Sequence, residues 1–151
     1  MFLLPMLVNV LYALLPPADA PSTPAPVTRW VERVEQLSRV AYLLAIVLLD
    51  SFHPTDWDSE HLCLAGVFLG LYYAVWLRYF AHGRKTCLLC RPLGLVPMPL
   101  AVFPVLYFLC AALWLRNLPA LAAMLVFGAA HLTVSFQSFE GANPVKGGEN
   151  R

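Results

Sequence analysis

The side chains able to do chemistry in this chain are few and sit at the ends or in the depth of apolar runs. His131 follows Gly128-Ala129-Ala130 inside such a run. An imidazole at membrane depth is costly and faces a protein interior or a wet cavity. It reads either as a proton-sensitive or ligand-binding group, or as a neutral histidine hydrogen-bonded to a neighbouring helix. Arg78 ends another run, in Trp76-Leu77-Arg78-Tyr79-Phe80, and Arg84, Lys85 and Arg91 follow it. That basic rim either receives an anionic headgroup or small anion, or anchors the chain, with Arg78 snorkelling beside an aromatic belt. The expectation is one polar pocket in which Arg78 holds an anionic group such as a lipid phosphate. Tyr79 and a neutral His131 add hydrogen bonds.

Cys87-Leu88-Leu89-Cys90 is a C-x-x-C whose spacing suits thiol–disulfide exchange. With His82 it offers three zinc ligands where a structural site wants four. A cytoplasmic position argues against disulfide formation, so Cys87 and Cys90 are expected to be reduced interfacial thiols. Cys63 and Cys110 fall near the outer ends of their runs, either paired or as free thiols acting as small apolar residues. The stretch His53-Pro54-Thr55-Asp56-Trp57-Asp58-Ser59-Glu60-His61 matches no defined cation loop and reads as a solvated acidic loop. Gly66 and Gly70 form G-x-x-x-G, which favours close helix contact within the chain or with a second copy. No nucleophile elbow, phosphate loop or zinc-protease motif is present, so hydrolytic catalysis has no support. The sequence implies no metal and no cofactor.

What must position these residues follows from composition. The chain has 151 residues, enough for one domain. Charged residues make up 13% and apolar residues 60%, with a mean hydropathy of +0.66. A soluble domain carries about 25% charged residues, and one this small cannot hide so much apolar surface. Lipid is therefore the expected solvent. A net charge of +1 gives no case for nucleic acid.

Five apolar segments can be read, at 2–15, 37–49, 62–80, 93–115 and 118–136. A span needs about 20 residues. The fold predicted is an all-α polytopic membrane bundle: one transmembrane domain over 1–140, then a mobile polar tail over 141–151. Segment two is lengthened by an amphipathic turn region from Thr28, with Trp30, Val31, Val34 and Leu37 on one stripe and Arg29, Glu32, Arg33, Glu35 and Gln36 opposite. Segment one is short. It is a retained span, a re-entrant helix, or a signal peptide cut after Ala18-Asp19-Ala20, against which stand Pro21 and the lack of a preceding basic residue. Pro16 to Val27 reads as an extended tether, and Arg116-Asn117-Leu118-Pro119 as a tight hairpin. Nine basic residues fall on one side of such a bundle and only Arg116 on the other. The positive-inside rule then puts the 81–92 loop and the C-terminus in the cytoplasm, and the N-terminus outside if segment one spans.

The strings Leu71-Tyr72-Tyr73, Trp76-Leu77-Arg78-Tyr79-Phe80 and Gly128-Ala129-Ala130-His131 resemble small uncharacterised multi-spanning bacterial membrane proteins. The resemblance implies an inner or plasma membrane and no particular activity. Three functions remain: a non-enzymatic membrane protein binding or moving a small solute or anionic lipid at the cytoplasmic half; an interaction subunit or scaffold, as a homo-oligomer or with a membrane partner; and a thiol-redox protein using Cys87 and Cys90.

Overall fold

Each apolar run folds as helix, because a chain with few polar side chains satisfies its backbone donors and acceptors most completely within itself. The computed structural model describes residues 3–18, 27–49, 60–94 and 96–142. These form α1 (Leu3–Leu14), α2 (Arg29–Leu48), α3 (Glu60–Ala81), the short α4 (Thr86–Cys90), α5 (Pro99–Trp114) and α6 (Leu118–Ala142). Among the described residues there is no strand, only an isolated bridge between Leu93 and Val96. The all-α expectation is met.

α5 is the central helix. It packs on α3 on one flank and on α6 on the other, while α2 lies along α6 and α1 along α3. One core joins Tyr42 and Ile46 of α2 to Phe108 of α5 and Met124 and Phe127 of α6. The other gathers Val8, Tyr72, Trp76, Tyr79 and Phe103. α2 and α6 run antiparallel and are tied at both ends. The Thr28 N–H donates to Gln137 Oε1 at 3.1 Å. At the other end Asn117 Nδ2 donates to the carbonyls of Ala45 (2.9 Å) and Leu49 (3.3 Å). Outside these cores the surface is apolar. Leu3, Leu14, Val47, Leu48, Leu77 and Leu118 are each at least 70% exposed.

Several boundaries differ from the sequence reading. Segment four is expected from residue 93, but α5 begins at Pro99, which suits a first helical position because no intrahelical donor is needed there, and Gly94 turns the chain before it at φ +59°. α2 is one continuous helix from its cap position Thr28, and its inward face is Val31, Glu35, Ser38 and Tyr42 rather than the expected stripe. Trp30 and Leu37 face outward. Two stretches, Glu60–Ala81 and Leu118–Ser138, are long and apolar enough to cross a membrane. α2 carries five charged residues, and α5 and α1 have 16 and 12 residues. The contacts of α1 fall on Tyr72, Tyr73, Trp76 and Tyr79, in the second half of α3. Cys63 (exposed) and Cys110 (buried) are both free. The acidic loop before Glu60 and the tail after Ala142 lie outside the described residues.

Candidate functional site

The phase of α2 is set by its second half. Tyr42, Ala45 and Ile46 are buried in the core, and Tyr42 donates its hydroxyl hydrogen to the Phe108 carbonyl at 3.0 Å. Stepping back by helical turns from Tyr42 gives Ser38, Glu35 and Val31 on the same inward face. The serine is accommodated because its hydroxyl donates to the Val34 carbonyl at 2.7 Å. The glutamate is accommodated because it meets partners.

Glu35 is only 6% exposed. Its Oε1 lies 2.6 Å from Arg39 Nη2 and 3.1 Å from His131 Nδ1. An ionised carboxylate only accepts, so Nδ1 is the protonated nitrogen of His131. The imidazole stacks on the Phe127 ring, with centroids 5.1 Å apart and planes 12° apart. The Arg39 guanidinium carbon sits 5.4 Å from the centre of the same ring. The cluster is thus two pairs of residues four apart, Glu35–Arg39 on α2 and Phe127–His131 on α6, facing across one seam. Arg39 balances the carboxylate charge.

Glu35 also lines an open groove of about 840 Å³ with Arg29, Glu32, Arg33, Gln36, Leu37 and Val134. Arg29, Glu32 and Arg33 are exposed and form no ion pair with any described residue. The two arginines are four positions apart, so both charges stand on one helix face, where like charges repel by a few tenths of a kcal/mol. The same face continues through Leu37, Val40, Leu44 and Val47, all exposed. It is cationic at its start and apolar for the rest of its length.

The residues expected to form a pocket are placed separately. Arg78 donates from Nη2 to the carbonyls of Leu88 (3.0 Å) and Arg91 (3.1 Å), pinning α4 against the end of α3. Tyr79 is fully buried beside the rings of Tyr12, Trp76 and Phe80. His131 belongs to the Glu35 cluster on α6, and α5 packs between α3 and α6. The structure therefore brings Arg78 next to Tyr79 in sequence but brings neither to His131. Cys87 and Cys90 stand at the two ends of the last turn of α4. Gly66 and Gly70 are exposed, and a Cβ at either would meet nothing within 4 Å. The close helix approach in this chain is made instead by Gly128, where a Cβ would lie 2.7 Å from Val105 Cγ1. Among the described residues no group of three or more potential ligands could hold a metal ion.

Glu35 is the residue that sequence reasoning missed. The sequence pattern places it on the polar stripe of 28–37, a stretch too short to fix its own helical phase. The signal that could have found it is the pair Glu35–Arg39 read together with the period of Ser38, Tyr42 and Ala45. The chain matches no protein-family model, no curated protein and no solved structure.

Proposed function

We propose that this chain is a small multi-pass membrane protein that binds the phosphate-bearing headgroup of a lipid at the cytoplasmic end of α2. The observation that carries the reading is the single α2 face on which Arg29 and Arg33, which form no ion pair with any described residue, are followed by exposed Leu37, Val40, Leu44 and Val47. Its order of charge and apolarity is that of a phospholipid lying along the helix. Arg29 is also the first residue of α2, where the helix dipole favours an anion.

Membrane embedding is supported by the apolar exterior and by the two stretches long enough to span. Five membrane segments remain the reading favoured here. α2 joins the spans because Glu35 and Arg39 neutralise each other, which lowers the cost of charge at that depth. α5 joins them as the central helix, sheltered by its neighbours, and α1 runs parallel to α3 with its C-terminal end toward the cytoplasmic side. Cysteines placed at His61 and Lys85 test the topology. An impermeant thiol reagent on intact cells labels the first and spares the second, and labelling of both or neither overturns the arrangement.

The lipid reading is tested by retention of phospholipid on the purified protein, measured by native mass spectrometry. A basic residue near an anionic surface contributes about 1 kcal/mol, so Arg29→Ala with Arg33→Ala lowers retention about 30-fold. Unchanged retention refutes it. A second reading, docking of a partner helix on α3, is favoured by the open strip at Gly66 and Gly70. Gly66→Ile then impairs assembly and leaves lipid retention unchanged.

A further inference from the structure

Glu32 does not fit a site built only for an anion. It lines the same groove as Arg29 and Arg33, is exposed, and makes no ion pair with either arginine or with any other described residue. A carboxylate beside a bound phosphate repels it, so a simple phosphate site is weakened by Glu32. Glu35, the other carboxylate of the groove, is already balanced by Arg39. The groove therefore presents three charges not paired with any described residue, two positive and one negative, over about one turn of helix.

We propose that the groove selects a phosphate ester that also carries a primary ammonium, that is, an aminophospholipid headgroup. The proposal rests on the reading of this α2 face as a lipid site and adds which headgroup it takes. The phosphate lies between Arg29 and Arg33, whose guanidinium groups donate to its oxygens. The ammonium donates to the Glu32 carboxylate. One helical turn rises about 5.4 Å, comparable to the short link between phosphate and amine in such a headgroup. The acyl chains follow Leu37, Val40 and Leu44 along α2. A serine headgroup satisfies all three charges one for one: phosphate and carboxylate on the arginines, ammonium on Glu32. A quaternary ammonium has no N–H to donate, and a glycerol headgroup has no positive charge, so neither answers Glu32.

The experiment uses the whole protein in nanodiscs holding two matched pairs of lipids. Phosphatidylethanolamine against phosphatidylcholine is compared at zero net charge, and phosphatidylserine against phosphatidylglycerol at one negative charge. Retention read by native mass spectrometry is expected to favour the amine-bearing member of each pair about tenfold, the effect of one charge-assisted hydrogen bond. Glu32→Gln brings both ratios to one and Glu32→Asp keeps them above one. Arg29→Ala with Arg33→Ala lowers retention of all four lipids. Glu32 is exposed and forms no ion pair with a described residue, so its variants are expected to melt with the wild-type chain. Ratios of one in the wild-type protein, or ratios that survive Glu32→Gln, overturn the proposal while leaving a general phosphate site standing. No retention of any of the four lipids by the wild-type protein, or retention that Arg29→Ala with Arg33→Ala leaves unchanged, instead refutes the lipid reading on which it rests. Free phosphoethanolamine at millimolar concentration is expected not to displace the lipid, since the chains contribute much of the contact. Displacement by it overturns the lipid source in favour of a soluble phosphate ester.

Discussion

Glu35 of α2 and His131 of α6 meet across the helix seam, with the Glu35 Oε1 3.1 Å from the His131 Nδ1. The histidine donates to a carboxylate that also holds Arg39 at 2.6 Å. Removing the acid alone leaves a guanidinium without its counter-ion in apolar surroundings. Glu35→Leu is therefore expected to destabilise the fold by about 2 kcal/mol, less than a fully buried pair because Arg39 is partly exposed. Adding Arg39→Leu removes the stranded charge and restores most of the loss. Thermal unfolding of both variants in one detergent checks this, and a double variant no more stable than the single one sinks the account.

The seam shows what the sequence could and could not convey. α3 and most of α6 were legible because each is an unbroken apolar run near the length of a bilayer. The start of α5 was legible only in part: Pro97 and Pro99 mark an irregular opening of segment four, but the apolar run from residue 93 does not show that helix begins only at Pro99. The inward face of α2 was not, since ten residues of mixed polarity allow more than one helical phase until Tyr42 and Ala45 fix it. His131 reads in the sequence either as a proton-sensitive or ligand-binding group or as a histidine hydrogen-bonded to a neighbouring helix; the residue beside it is an acid on α2, and no local spacing encodes that. Arg78 read as anchor or anion site. The carbonyls of Leu88 and Arg91 that it holds become visible only once the chain turns back through α4.

Gly128 and Gly66 separate a packing glycine from an open one. A Cβ at residue 128 would lie 2.7 Å from Val105 Cγ1, and a β-branched side chain in a helix has little freedom to rotate away. Gly128→Ala is expected to cost about 1–3 kcal/mol. Trimming the neighbour with Val105→Ala makes the second substitution nearly free, so a double-mutant cycle shows strong coupling. Gly66→Ala meets nothing within 4 Å and is expected to be neutral or to stabilise by up to about 1 kcal/mol. Additive effects at 128 and 105 would contradict the contact.

Asn117 serves two helices at once. Its Oδ1 accepts the Ala120 N–H at 2.9 Å at the start of α6, while its Nδ2 reaches the last carbonyls of α2. It is buried, so its amide has no water to fall back on. Asn117→Ala is expected to cost about 2 kcal/mol, a lost cap of about 1 plus the lost amide bonds to α2, whose Ala45 carbonyl keeps the Leu49 N–H as a partner. Asn117→Ser keeps an acceptor for the α6 terminus and recovers part of that. Chemical unfolding in mixed micelles ranks the three, and a serine variant no better than alanine refutes the cap.

Arg116 stands where a glycine is usual. It follows α5 with φ +52°, while its N–H donates to the Leu113 carbonyl and the Asn117 N–H to that of Ala112. These two bonds close the helix end, and the left-handed residue between them is strained for any side chain bearing a Cβ. Arg116→Gly is expected to stabilise the fold by about 0.5–1 kcal/mol. A lowered melting temperature would show that the arginine side chain contributes more than its backbone strain removes.

The last prediction concerns α1, which the sequence left open among a retained segment, a re-entrant helix and a cleaved signal. Its contacts favour retention. Tyr72 donates its hydroxyl hydrogen to Asn9 Oδ1 at 3.0 Å, and Tyr73 donates to the Leu4 carbonyl at 2.6 Å. The Tyr12 ring lies 5.3 Å from Trp76 and 6.0 Å from Tyr79, and the Ala18 N–H reaches the Arg84 carbonyl at 3.1 Å. A cut after Ala20 would remove every one of these partners and uncover the buried Tyr72–Trp76–Tyr79 face of α3. Protein extracted from membranes is therefore expected to show an intact mass that includes α1. Asn9→Leu, which removes one interhelical hydrogen bond, is expected to cost about 0.6–1.7 kcal/mol. A mature chain beginning at Pro21, or an Asn9→Leu variant as stable as the parent, would show that α3 does not need this helix.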